Sequence, residues 1–153
     1  VLYDAVEDMR IASGAGEAVK TMAAHGVRCV LISGGFEMFT GHVAAVLGFH
    51  RHVANRLHIE DMKLTGDVIP PIIDKHVKKT TLEDEARALG LDMLHTMAVG
   101  DGANDIPMLQ MAGTGVGYFG KPAVQAATPY QIRHTDLTAL LYMQGYKESD
   151  VLR

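Results

Sequence analysis

The chain is poor in cysteine and aromatic residues: Cys29 is its one cysteine in 153 residues, and aromatic residues make up 6%. A single cysteine excludes an intrachain disulfide and a multi-cysteine zinc site, and it indicates a reducing compartment, so we expect a cytoplasmic protein. Its apolar runs all fall short of the roughly 18 residues that span a bilayer. The net charge of −4 gives no reason to expect a basic surface. We therefore expect neither nucleic acid nor a membrane as a partner.

Short apolar segments alternate with helical patterns along the chain. The run VRCVLI over residues 27–32 is rich in β-branched residues and predicts a strand buried on both faces. Residues 16–25 and 37–47 have helical periodicity, and each of these segments is followed by a glycine that ends the helix, Gly26 and Gly48.

The remaining elements continue the alternation. Thr80 with Glu83 forms a capping-box pattern that predicts a helix start, and this helix is expected to end at Gly90. The other predicted elements are strands at 50–54, 96–99 and 113–117, a β-hairpin within 55–73, and helices at 104–112, 121–127 and 136–144. This order predicts an α/β fold with a parallel sheet, right-handed connections and helices on both faces.

Two polar clusters follow predicted strands, where open parallel sheets bind ligands. Ser33-Gly34-Gly35 offers a hydroxyl, closely approachable backbone N–H groups and the start of a helix, which together suit an oxyanion. The alternative interpretation is a plain tight turn between strand and helix.

The second cluster, Gly100–Asp105, places the carboxylates of Asp101 and Asp105 beside the amide of Asn104. Carboxylates this close repel one another unless a cation lies between them, and a small set of oxygen ligands suits Mg²⁺. The alternative is a solvated acidic loop that caps a helix. Lys78 or Lys79 could reach a phosphate as a point charge, although a solvated surface pair is the simpler interpretation of two adjacent lysines.

A third pattern is weaker. Gly115, Gly117 and Gly120 match the G-x-G-x-x-G spacing of dinucleotide-binding loops, but they fall in the last predicted strand–helix unit. A dinucleotide-binding module is therefore kept only as a minor alternative.

The motifs together resemble a known family. Three motifs and two segments carry the resemblance: Ser33-Gly34-Gly35-Phe36, Asn55-Arg56-Leu57, Leu64-Thr65-Gly66, the segment from Asp74 to Lys78, and the segment 100–109 (GDGANDIPML). Their order resembles the haloacid dehalogenase superfamily, in particular its phosphatases for O-phosphoserine. The resemblance implies a three-layer, doubly wound, Rossmann-like core with a small β-hairpin excursion. It also implies hydrolysis of O-phosphoserine to serine and phosphate through an aspartyl-phosphate, the last step of serine biosynthesis.

The resemblance implies roles for five residues and one glycine N–H. The substrate phosphate would be held by Ser33, Gly34, Lys78 and Asn104. Lys78 and Asp105 would be the catalytic pair, with Asp105 supporting Lys78 or a metal-bound water. Asp101 would be the ligand of Mg²⁺.

One family motif is absent. The family's nucleophile and general acid are the two aspartates of Asp-x-Asp-x-Thr on its first, central strand, whereas these 153 residues contain no Asp-x-Asp, and Asp4 is followed two residues later by Val6. We therefore expect the C-terminal part of a longer phosphatase, with residues 1–15 as a remnant of a helical cap, 16–153 as the core, and the first strand missing.

Several expectations follow for function. The chain alone should be inactive, and its partners should be a small phosphomonoester and either the missing N-terminal segment or a second copy of the chain. Two alternatives are a non-catalytic fragment that binds phosphate and Mg²⁺, and a phosphatase of the same superfamily with another small phosphomonoester substrate.

Overall fold

The computed structural model describes residues 2–153, which form two compact units. The first unit contains the chain up to Ile72 together with Asp136–Arg153, and the second contains Ile73–Thr135. Both units combine parallel strands with helices, which confirms the predicted α/β class. Among the described residues, no helix is both long enough and apolar enough to cross a membrane.

The first unit contains a three-stranded sheet in the order β1-β2-β3. Its elements are α1 (Leu2–Glu7), α2 (Ala15–Ala24), β1 (Val30–Phe36), α3 (Glu37–Leu47), β2 (Arg51–Glu60), β3 (Lys63–Ile69) and α7 (Ala139–Met143). β1 and β2 are parallel, and β2 and β3 form the predicted antiparallel hairpin. Asp61 and Met62 make its turn with left-handed φ angles of 48° and 61°, a conformation whose twist matches that of the flanking strands.

Helix α3 occupies the predicted residues and packs on β1 and β2. Gly48 ends this helix at φ 84°, where a side chain would be strained. β1 differs from the prediction, because it begins at Val30 and extends to Phe36 instead of covering 27–32. Ser33, Gly34 and Gly35 are therefore part of the strand's irregular end and not a loop after it.

The C-terminal segment completes the first unit. The Ser13 hydroxyl donates a hydrogen bond of 3.0 Å to Asp136, and the Leu152 N–H donates one of 2.9 Å to the buried Thr21 hydroxyl. Contacts across more than 120 residues thus hold this unit together.

The second unit contains a three-stranded parallel sheet in the order β4-β5-β6. Its elements are α4 (Lys75–Ala88), β4 (Met97–Gly100), α5 (Ile106–Met111), β5 (Thr114–Tyr118), α6 (Pro122–Ala127) and β6 (Tyr130–Ile132), with 3₁₀ turns at Met93–His95 and Ala103–Asp105. Its core is formed by Leu109, Val116 and Val124, which are almost fully buried. β6 was not predicted, because only one of its three residues is aliphatic.

The predicted start of the fourth helix is wrong. α4 begins at Lys75, and the Asp74 carboxylate caps it by accepting hydrogen bonds of 2.9 Å from the N–H groups of His76 and Val77. Thr80 lies inside the helix, so its spacing to Glu83 is a helical repeat and not a capping box. Lys78 consequently lies in the first turns of α4.

The predicted helix over 136–144 is shorter in the structure, where α7 covers Ala139–Met143. Asp136 instead accepts hydrogen bonds from the N–H and hydroxyl of Thr138 just before the helix. The division into a cap remnant at 1–15 and a core at 16–153 stays a prediction.

Candidate functional site

The Ser33-Gly34-Gly35 segment lies in the first unit, where the pairing of β1 with β2 is interrupted. Ile32 is paired with Val53 and Phe36 with Asn55, so three residues of β1 lie opposite one residue of β2. Within this bulge, the Ser33 Oγ accepts a hydrogen bond of 2.9 Å from the Gly35 N–H. Since this bond uses an acceptor position of the Oγ, the Ser33 hydroxyl keeps its own hydrogen to donate to an anion.

The Gly100–Asp105 loop lies in the second unit, between β4 and α5. Asp105 organises this loop, because its Oδ2 accepts hydrogen bonds of 3.1 Å from the N–H groups of both Asp101 and Gly102. Its other oxygen, Oδ1, lies 2.6 Å from the Lys78 Nζ. A single carboxylate therefore fixes both the loop backbone and the lysine.

The two neighbouring lysines, Lys78 and Lys79, lie in different environments. Lys78 and Asp105 form an ion pair with side chains only 8% and 7% exposed, whereas Lys79 lies 4.0 Å from Glu83 on the surface, with side chains 39% and 33% exposed. The surface interpretation is thus correct for Lys79 and wrong for Lys78.

Gly100 is required by the close approach of Asp105. A Cβ added at Gly100 would lie 2.5 Å from the Asp105 Cβ, closer than real Cβ contacts. Sequence reasoning did not assign Gly100 a role, although its place at the end of β4 and directly before an aspartate was a usable signal.

Asp101 offers an open carboxylate. No hydrogen bond or ion pair to this carboxylate comes from the part of the chain that the structure describes, and the side chain is exposed. Across residues 2–153 there is also no group of three or more His, Cys, Asp or Glu side chains arranged around a metal position. This donor set fits Mg²⁺ better than Zn²⁺, because Mg²⁺ uses one or two protein carboxylates and keeps several waters.

The structure brings together Lys78, Asp101, Asn104 and Asp105 in the second unit, and it places Ser33 and Gly34 in the first. Asn104 folds over Gly102, where an added Cβ would lie 2.9 Å from the Asn104 Oδ1.

The glycines of the dinucleotide pattern have a packing role. A Cβ at Gly115 would lie 2.0 Å from the Leu109 carbonyl oxygen, and one at Gly117 would lie 2.2 Å from the Gln131 Oε1. Close contacts within the second unit therefore account for these two glycines without a bound phosphate.

Asn55 contacts the Ser33-Gly34-Gly35 segment, and sequence reasoning gave it no role. Its side-chain amide donates a hydrogen bond of 2.8 Å to the Gly34 carbonyl oxygen, and the residue is buried. The usable signal was a polar amide in the middle of the strand sequence VANRL.

The amino-acid sequence is similar to those of known proteins. Residues 1–110 match the haloacid dehalogenase-like hydrolase family. The phosphoserine phosphatase of Haemophilus influenzae is 37% identical over 141 residues, which cover 92% of this chain and 45% of that protein. The corresponding enzyme of Lactococcus lactis is 38% identical, covering 92% of this chain and 65% of that protein.

A solved structure is similar to this chain in fold. An unliganded probable phosphoserine phosphatase from Vibrio cholerae superimposes with a TM-score of 0.87 at 32% identity, covering 92% of this chain and 43% of that one. The chain spans about half the length of the curated relatives that it matches. The matched region contains both polar clusters, and on this ground the chain belongs to the haloacid dehalogenase-like hydrolase family.

Proposed function

We propose that the chain supplies the phosphate- and metal-binding part of a phosphatase that hydrolyses O-phosphoserine to serine and phosphate. The observation that carries the proposal is the buried ion pair between Lys78 and Asp105, held in a loop whose backbone the same aspartate fixes. The relatives named phosphoserine phosphatase support the substrate, because they match more than nine-tenths of this chain.

Lys78 is the proposed charge-neutralising group for the phosphoryl oxygens. The Asp105 Oδ1 accepts one of its three N–H bonds, so two donors remain for the substrate. The rigid pairing fixes the ammonium group before substrate binds, which is how a positioned charge favours phosphoryl transfer. Asn104, together with the Ser33 hydroxyl and the Gly34 N–H, is the proposed source of the neutral hydrogen bonds to phosphate.

Asp101 is the proposed ligand of Mg²⁺. Its exposed carboxylate has both oxygens open to a cation, whereas the two oxygens of Asp105 are already occupied by Lys78 and the loop N–H groups. When bound, Mg²⁺ would offset the negative charge of the phosphate.

The proposed nucleophile is an aspartate outside these 153 residues, since the chain contains no Asp-x-Asp. A solved phosphoserine phosphatase described as a phospho-aspartyl intermediate analogue, 33% identical with a TM-score of 0.87, supports covalent catalysis in the complete protein. It covers 93% of this chain and 68% of that one. We therefore expect the chain alone to bind phosphate without turnover, and we keep residues 1–15 as the proposed end of a cap.

The absence of Asp-x-Asp also favours a second candidate, a binding protein for phosphate and Mg²⁺ without catalysis. The two candidates differ in the protein that contains this chain together with the rest of its gene product. Only the enzyme would release phosphate there, so the natural full-length product is the sample that separates them.

The test measures two properties of the 153-residue chain: binding of inorganic phosphate by ³¹P NMR, and phosphate release from O-phosphoserine and a panel of other small phosphomonoesters, each with Mg²⁺ and with EDTA. We expect phosphate binding that EDTA weakens, and no release. Absence of binding under both conditions would overturn the proposal.

Mg²⁺-dependent release would place the nucleophile within the chain, and Asp4 would be the first residue to substitute. In the full-length product, release from another ester but not from O-phosphoserine would overturn the proposed substrate.

A further inference from the structure

We propose that Asn55 is a positioning residue that orients the Ser33 hydroxyl through a single peptide group. The inference rests on the proposed function, because it takes Ser33 as a phosphate-binding group. Asn55 lies on β2 directly opposite the end of the β1 bulge, at the position paired with Phe36.

One peptide group connects the two residues. The carbonyl of Gly34 and the N–H of Gly35 belong to the same planar unit. The carbonyl oxygen accepts a hydrogen bond of 2.8 Å from the Asn55 Nδ2, and the N–H donates one of 2.9 Å to the Ser33 Oγ. The peptide is therefore fixed at both ends, by Asn55 on one side and by Ser33 on the other.

This arrangement determines which way Ser33 can donate. While the Gly35 N–H occupies an acceptor position on the Ser33 Oγ, the hydroxyl hydrogen is directed elsewhere and can serve an anion. The flanking residues give little resistance to rotation of the peptide, because glycine adopts both signs of φ easily. Asn55 supplies the missing restraint, since rotation of the peptide would break the 2.8 Å hydrogen bond between the Asn55 amide and the Gly34 carbonyl.

The burial of Asn55 distinguishes it from its neighbour. Asn55 is only 7% exposed. Arg56, the next residue on β2, forms an ion pair of 3.1 Å with Glu37, but both side chains are about half exposed. An exposed pair of this kind contributes little. Arg56→Gln is therefore the matched control, because it removes one bond from β2 to the first residue of α3 without touching the Gly34–Gly35 peptide.

The experiment is a double-mutant cycle on the 153-residue chain, with the dissociation constant for inorganic phosphate in Mg²⁺ as its readout. Asn55→Leu removes the donor at similar size, and we expect it to weaken phosphate binding about tenfold, the scale of one lost positioned hydrogen bond. Arg56→Gln should change the constant less than about twofold. In a Ser33→Ala background, Asn55→Leu should have a clearly smaller effect, because the hydroxyl that it positions is gone.

Asn55→Asp provides a second readout. Its ionised carboxylate cannot donate to the Gly34 carbonyl, whereas the protonated form can. The phosphate affinity of the variant is divided by that of wild type at each pH, so that the ionisation of phosphate itself cancels. This ratio should rise toward one as the pH falls. This variant also covers the case in which Asn55→Leu does not fold.

Each outcome has one meaning. If the wild-type chain binds phosphate and Asn55→Leu binds it equally well, the positioning role is wrong and the proposed function stands. Two further results would overturn the positioning role. One is an equal loss of phosphate affinity from Asn55→Leu in the wild-type and Ser33→Ala backgrounds. The other is an affinity ratio for Asn55→Asp that does not change with pH. If the wild-type chain does not bind phosphate at all, the proposed function itself fails.

Discussion

The Lys78 Nζ lies 2.6 Å from the Asp105 Oδ1, and both side chains are more than nine-tenths buried. Removing one partner of a buried pair leaves an uncompensated charge, which typically costs about 3–5 kcal/mol. We expect Asp105→Asn to lower the free energy of unfolding by an amount of this order, as measured by urea denaturation. The control is Glu83→Gln, which removes the partly exposed partner of Lys79 and should change stability by about 0.5 kcal/mol or less. Similar losses in both variants would contradict the structural difference between the two lysines.

Substitution of the two lysines themselves tests binding. Lys78→Met should abolish measurable binding of inorganic phosphate, because the fixed ammonium group is gone, while Lys79→Met should leave binding within about twofold of wild type, as expected for a solvated surface charge. Isothermal titration with phosphate in the presence of Mg²⁺ measures both. If the two variants lose affinity equally, the proposed role of Lys78 is wrong.

The open carboxylate of Asp101 leads to a prediction about metal. Asp101→Asn should weaken Mg²⁺ binding at least about tenfold, because an amide replaces the charged ligand. Asp84→Asn is the matched control, since Asp84 is an exposed carboxylate that pairs with Arg87 on α4. The readout is Mg²⁺ titration followed by the amide NMR signals of Asp101 and Gly102. Unchanged Mg²⁺ affinity in Asp101→Asn would remove Asp101 from the metal site.

The crowding at Gly100 predicts a steric effect. Gly100→Ala should destabilise the chain by about 1–3 kcal/mol, because the added methyl group would overlap Asp105 and force a shift in a packed region. Gly16→Ala in α2 is the opposite case: its methyl group would lie 3.8 Å from the Leu47 Cδ2, an ordinary contact, and alanine favours the helix. Thermal unfolding should therefore give a lower Tm for the first variant and an equal or higher Tm for the second.

The cap of α4 predicts a pH dependence. The N–H of Val77, and then that of His76, donate to the Asp74 carboxylate and hold the pKa of Asp74 below its ordinary value of 3.8. A lowered pKa in the folded state means that the cap stabilises above the unfolded pKa, and that this stability is lost as the pH falls through the folded pKa.

Asp74→Ala should consequently lower the Tm at pH 7, and its difference from wild type should shrink below about pH 4. Asp74→Asn keeps a neutral cap, so its stability should depend less on pH than that of wild type in this range. A difference between wild type and Asp74→Ala that stays constant from pH 7 to pH 3 would show that the charge of Asp74 is not the source of the effect.

The sequence predicted those elements whose ends are set by local chemistry. The end of α3 was located to the residue because Gly48 ends the helix at a positive φ, and the hairpin was located because alternating Leu57 and Ile59 precede a turn. The start of α4 was misplaced because two signals competed: Thr80 with Glu83 imitates a capping box, and only the structure shows that Asp74 already caps the helix six residues earlier.

The candidate site was predictable in its composition but not in its connections. Both polar clusters were found from residue type and position at strand ends. The pairing of Lys78 with Asp105 spans 27 residues, and the bond from Asn55 to Gly34 spans 21, so no local pattern reveals either contact. Such contacts depend on sheet register and helix packing, which local sequence patterns do not predict.

The first unit is built from two separated stretches of chain, and this has a consequence for the order of folding. The second unit, Ile73–Thr135, is continuous and can fold from contacts among near neighbours in sequence. The first unit, in contrast, includes the hydrogen bonds from Ser13 to Asp136 and from Leu152 to Thr21, and these can form only after the segment beyond Thr135 has left the ribosome. The first unit is therefore completed by residues 136–153, which are synthesised after every residue of the second unit, although its own three strands are synthesised before them.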